Sequence, residues 1–196
     1  MNFKNISRYI PIALCIVALA GFWLPAIRVE LSFLGISRST NLSIATFFES
    51  TDSPMETLNL GQTDISDILG ENDMLQDAGA RIALAVISYL LSLLATLALL
   101  IFTFLNKFVI IRIVLAAMAA VLLAVAARAI LSVPDIIAET LTNILGFFAM
   151  FLNLSEMIQI TLGSGLWTPA ITLVIIFLFE LTLRFRKVKK AYYSTD

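Results

Sequence analysis

"IALAVISYLLSLLATLALLIFTFLNKFVIIRIVLAAMAAVLLAVAARAILSVPD", residues 82–135, is apolar almost throughout and is interrupted only by Asn106-Lys107, Arg112 and Arg128 before it reaches Pro134-Asp135. A bilayer's hydrocarbon core of about 30 Å takes roughly 20 apolar residues at about 1.5 Å of helical rise each. The stretch therefore reads as two spans, 82–105 and 108–131. Only Asn106 and Lys107 separate them, which forces an antiparallel helical hairpin.

Outward from this hairpin, the composition agrees. Hydrophobic residues make up 60% of the 196-residue chain and charged residues 14%, and the mean hydropathy is +0.96; soluble domains average about half apolar and a quarter charged. Two further apolar runs complete the set, a short one at 9–24 and one at 166–183 that ends in "RFRKVKK". The expected fold is an all-α membrane protein, a four-transmembrane-helix bundle forming one integral membrane domain over 1–196. A structured outer loop that can hold a small β-sheet joins helices 1 and 2 (25–80). A second outer loop with an interfacial helix covers 132–165, and a basic tail covers 184–196.

Lysine and arginine near span ends set orientation. Lys4, Arg8, Lys107, Arg112, Arg184, Arg186, Lys187, Lys189 and Lys190 are nine of the thirteen basic residues and fall on one side, which reads as cytoplasmic and holds both termini. Twelve of the fourteen acidic residues fall in the two outer loops, so the formal net charge of −1 conceals a segregation of charge. Trp23 and Trp167 mark the outer interface. The simplicity of this layout favours a bacterial inner (plasma) membrane. Asn41-Leu-Ser43 and Asn153-Leu-Ser155 are sequons, a pattern that matters only in a secretory pathway.

The start "KNISRYIPIALCIVALAG" also resembles a signal peptide, with Ala18-x-Ala20 before Gly21. We read it as retained, because Phe22, Trp23 and Leu24 continue the apolar run. Cys15 is the lone cysteine and there is no histidine, so intramolecular disulfides, Cys-His zinc sites, haem-histidine ligation and His-based nucleophilic triads are excluded. No phosphate-cradling glycine loop occurs. The chain reads as non-enzymatic, with no cofactor, no metal and no nucleic-acid partner. Asp64, Asp67, Glu71 and Asp73 read as a solvated acidic face and not as a calcium loop, whose spacing they lack.

In the first outer loop "AIRVELSF" alternates, with Ile27, Val29, Leu31 and Phe33 on one face and Arg28, Glu30 and Ser32 on the other, as a half-buried strand does. "GISRST" then reads as a turn, "NLSIATFFES" as a return strand or short helix, "TLNL" as a weaker strand and "TDISDILGENDML" as a short amphipathic helix. In the second, Ser132-x-x-Asp135 reads as a helix start. The apolar 144–154 segment "ILGFFAMFLNL" is too short to span. It either packs on the chain's own helices or offers Phe147, Phe148, Met150 and Phe151 as a surface to a partner or to lipid.

The two arginines read differently. Arg112 lies a turn from the cytoplasmic end and snorkels to headgroups; Glu180 pairs with Arg184 four residues on. Arg128 shares a four-residue stripe with Ala116, Ala120 and Ala124, and the second span offers Ser88, Ser92 and Thr96 at the same spacing. These stripes are expected to form the main seam, with Arg128 turned into the bundle and Asp135, Glu139 or Asp77 as its counter-charge. Outward snorkelling, a buried ion pair and an anion or substrate site all remain open for it.

In layout the chain resembles the claudin-type tetraspan proteins. Their Trp-rich, paired-cysteine signature is absent from the first outer loop, so the resemblance implies no function here. The expected role is an accessory or scaffold subunit. It would bind the bilayer and another membrane or extracytoplasmic protein, or a second copy, through its acidic outer loops and residues 144–154. The alternative is a small channel or transporter component with Arg128 and the Ser/Thr stripe lining a polar path.

Overall fold

The computed structural model describes residues 3–33, 36–43, 73–105, 108–145 and 158–192. Its elements are α1 (Phe3–Gly21), β1 (Ile27–Phe33), β2 (Ile36–Leu42), α2 (Asp73–Leu105), α3 (Val109–Leu131), α4 (Val133–Leu145), β3 (Ile158–Leu162) and α5 (Ser164–Tyr192). The four long helices α1, α2, α3 and α5 pack in a ring in that order. The three-stranded sheet and α4 lie where α1 and α3 end and α2 and α5 begin, which we term the sheet end. Three segments are long and apolar enough to cross a bilayer: Asp77–Leu105, Val109–Thr140 and Ser164–Phe185. The apolar part of α1, Tyr9–Gly21, is shorter.

The ring closes on small residues. Ala18, Ala85, Ala95, Ala116, Ala119 and Ala126 are buried and let the backbones approach, and Leu99, Leu123, Leu173 and Ile176 fill the space between them. The hairpin between α2 and α3 is entered through Phe108, whose left-handed backbone (φ 57°, ψ 58°) is costly for a residue with a Cβ. Edge-to-face packing on Phe102, with ring centroids 6.5 Å apart, helps to hold it there.

The sheet has the order β2-β1-β3, antiparallel throughout. Ile27 lies between Leu42 and Leu162, and Val29 between Thr40 and Ile160; Ile27, Ile160 and Leu162 pack against the helical core. On the other face Arg28 pairs with Glu30 at 2.9 Å, two residues along the same strand.

Several boundaries differ from the sequence expectation, each for a physical reason. The return strand β2 takes most of the expected turn "GISRST": β1 and β2 are only two residues apart, the length of a tight hairpin. "IQITL", within the stretch expected to be loop and interfacial helix, forms β3. Helix α2 begins at Asp73, inside the expected outer loop. An Arg81–Asp77 bridge of 3.2 Å one turn apart supports a helix that needs no apolarity there. Likewise α5 runs through the basic segment to Tyr192. The expected "TLNL" strand lies outside the described residues. So do the "TDISDILGENDML" helix before Asp73 and "NLSIATFFES" beyond Ser43.

Around Gly21 the chain is built into the core. Ala18 and Phe22 are buried, and the segment that follows is tied to the start of α5 by Gly163 N–H donating to Ala26 O and Gly165 N–H donating to Pro25 O, both at 2.8 Å. Side chains are barred at these two glycines: a Cβ would lie 2.2 Å from Pro25 O at Gly163 and 2.2 Å from Leu24 O at Gly165. Pro169, in the second turn of α5, has no N–H to give the carbonyl four residues back. That carbonyl, Gly165 O, accepts instead from the Tyr89 hydroxyl at 3.0 Å, which also approaches Phe22 O at 3.3 Å. Tyr89 and Phe22 meet edge to face at 5.1 Å.

Candidate functional site

The four helices each send one chemically distinctive side chain to a common buried region towards the end opposite the sheet. From α3, Arg112 Nη1 lies 3.2 Å from Oε1 of Glu180 on α5, with the side chains 8% and 2% exposed. From α2, the Thr103 hydroxyl donates to Leu99 O at 2.7 Å and faces the thiol of Cys15 on α1. Arg112 and Glu180 lie within electrostatic range of that thiol. Among the described residues, Nε of Arg112 has no hydrogen-bond partner. Each helix is locally apolar on both sides of its polar residue, so the polar groups have nowhere to go but inward and each other.

This pair overturns two expectations. Arg112 does not snorkel; it is buried. The salt bridge found at Glu180 runs across helices to α3, while Arg184 is exposed. The readable signal was depth. Arg112 and Glu180 each lie about a turn inside the boundary of antiparallel helices, and two opposite charges at one depth in apolar surroundings attract strongly. Along its own helix Glu180 has Arg184 within reach, and the deeper partner comes from α3.

Ser88, Ser92 and Thr96 of α2 are all buried, and Ser92 reaches across to α3. Ser92 Oγ donates to Ala119 O of α3 at 2.9 Å and Thr96 Oγ1 to Ser92 O at 2.8 Å. Along α3 the buried ridge is Ala116, Ala119, Leu123, Ala126 and Ala129. It departs from the expected stripe: Ala120 is half-buried and Ala124 and Arg128 are exposed. With 3.6 residues per turn each four-residue step advances about 40°, so Ala116 and Arg128 point about 120° apart. A stripe that starts in the seam winds out of it, and Arg128 does not enter the bundle.

Asp135 is exposed and forms no salt bridge with Arg128. The sheet-end contact that does form is Arg81 Nη1 to Ser132 Oγ at 3.1 Å, with Ser132 Oγ donating to Ala129 O at 2.8 Å. Ser132 ends α3, and α4 starts at the next residue, as the Ser132-x-x-Asp135 reading expects. Phe147, Phe148, Met150 and Phe151 lie outside the described residues.

No family model, no curated protein and no solved structure matches this chain. The site is therefore read from its own chemistry. A guanidinium and a carboxylate paired in an apolar interior act as a directional lock between α3 and α5, because either charge alone would be left in a medium that cannot solvate it. A small thiol and a back-bonded hydroxyl let α1 and α2 close over the pair without bulk.

Proposed function

We propose that the chain is an integral membrane protein of four spans that serves as a non-enzymatic accessory or scaffold subunit. In this reading both termini are cytoplasmic and the sheet and acidic loops face outward, in a bacterial-type plasma membrane. The observation that carries the membrane part is an inverted distribution of polarity. Ser92, Thr96, Thr103, Arg112, Thr172 and Glu180 are buried, while Ile87, Leu94, Ile101, Val114, Val121, Ile171 and Leu178 are exposed. An apolar exterior of that extent belongs in lipid. The span assigned to α1 is short and is accommodated by local bilayer thinning.

The scaffold part is supported by what the seam does with its polar groups. Hydroxyls that would line a polar path are bonded to helix carbonyls, as at Ser92, Thr96, Thr103 and Thr172, and alanines close the space beside them. A bundle sealed in this way holds its shape and presents its sheet end. The partner surface we assign comprises the acidic outer loops and residues 144–154, offered to another membrane or extracytoplasmic protein. Purification in mild detergent with mass spectrometry of co-eluting chains tests it. A stoichiometric second protein supports the reading; a homo-oligomer that conducts ions in liposomes replaces it with the channel alternative.

A further inference from the structure

A groove of about 880 Å³ lies beside the bundle at the sheet end, between α3, α5 and the start of α4. It is within the size range of small-molecule sites. Ala120, Ala124 and Ala127 of α3 and Ala170, Ile171 and Val174 of α5 line it, with leucines among them, so its walls are apolar. From Arg128 down to Ala120 the groove follows α3 for about 12 Å, close to the half-thickness of about 15 Å that one leaflet's hydrocarbon occupies. Arg128, Asp135 and Trp167 line its sheet-end part. Arg128 and Asp135 are exposed, and among the described residues neither side chain is engaged in a salt bridge.

Two unlike charges, one near the end of α3 and one in the first turn of α4, both lining the same apolar groove, complement a headgroup that carries both signs. We propose that the groove binds one phospholipid whose headgroup is a phosphate joined to a primary ammonium, with the phosphate on Arg128, the ammonium on Asp135 and an acyl chain along the alanine wall. The guanidinium is shaped for phosphate oxygens. A primary ammonium donates hydrogen bonds to a carboxylate, whereas a quaternary one has no proton to donate and a glycerol headgroup has no cation. Trp167 places this end of the groove at headgroup depth. The inference rests on the bilayer reading above.

The test reconstitutes the full chain in nanodiscs of equal parts phosphatidylethanolamine, phosphatidylcholine and phosphatidylglycerol and weighs the released protein by native mass spectrometry. One phosphatidylethanolamine per chain is expected, retained about tenfold over phosphatidylcholine, the worth of one charge-assisted hydrogen bond. Arg128→Gln should lose the lipid and Asp135→Asn should lose the preference, both with unchanged melting. A wild-type chain free of lipid, an Arg128→Gln variant that retains lipid as the wild type does, or a lipid-free dimer overturns the inference. Alkaline carbonate extraction separates the two failures: a chain released from its membranes removes the bilayer reading as well, and one that stays while binding no lipid removes only this inference.

Discussion

Arg112 of α3 and Glu180 of α5 meet at 3.2 Å inside the bundle although 67 residues separate them in the chain. Neutralising one partner leaves the other charge buried alone, which costs about 3–5 kcal/mol. Arg112→Gln or Glu180→Gln should each lower the melting temperature in detergent strongly. The Arg112→Met/Glu180→Met double variant should recover most of the loss, since apolar replacements of similar volume are often neutral. Single variants that melt with the wild type would remove the lock.

Tyr89 supplies the hydrogen that Pro169 cannot. Tyr89→Phe keeps the ring contact with Phe22 but orphans the Gly165 carbonyl, so a loss of about 1–3 kcal/mol is expected in thermal unfolding. Adding Pro169→Ala should shrink the penalty, because residue 169 then carries its own N–H. Equal penalties in both backgrounds would contradict the assignment.

Glycines at two positions exist for backbone clearance. Gly163→Ala and Gly165→Ala each place a methyl 2.2 Å from a carbonyl oxygen and should reduce the folded yield sharply. Gly79→Ala, in α2 with nothing within 4 Å of the new methyl, should stabilise by about 0.5–1 kcal/mol. Expression and melting of the three variants side by side decide the point; similar behaviour at all three would refute it.

Labelling fixes sidedness. Ser39→Cys on β2 should react with a membrane-impermeant maleimide on intact cells, and Arg184→Cys near the other end of α5 only after permeabilisation. Both positions are exposed, and buried Cys15 contributes little background. The reverse pattern would invert the topology.

The four long helices were legible in the sequence because each is a continuous apolar run, and β1 because it alternates. Helix ends were less so: helical hydrogen bonding continues past the end of an apolar run, so α2 and α5 extend beyond 82–105 and 166–183. Strand β3 was missed although Ile158, Ile160 and Leu162 alternate with Gln159 and Thr161, because its partner β1 is far away in sequence and five residues carry little signal alone. Arguments confined to one helix turn Arg128 towards the bundle while leaving outward snorkelling open, and send Arg112 to the headgroups. Which charge is buried depends on helix rotation, and rotation is settled by the neighbouring helices.

Strand β1 is hydrogen-bonded on both sides, to its immediate successor β2 and to β3 near the chain's last helix. During synthesis the first hairpin can form early, but the second edge of β1 stays open until residues 158–162 have been made, after α2, α3 and α4. The ladder thus closes late, and it ties the first strand to the leading end of α5.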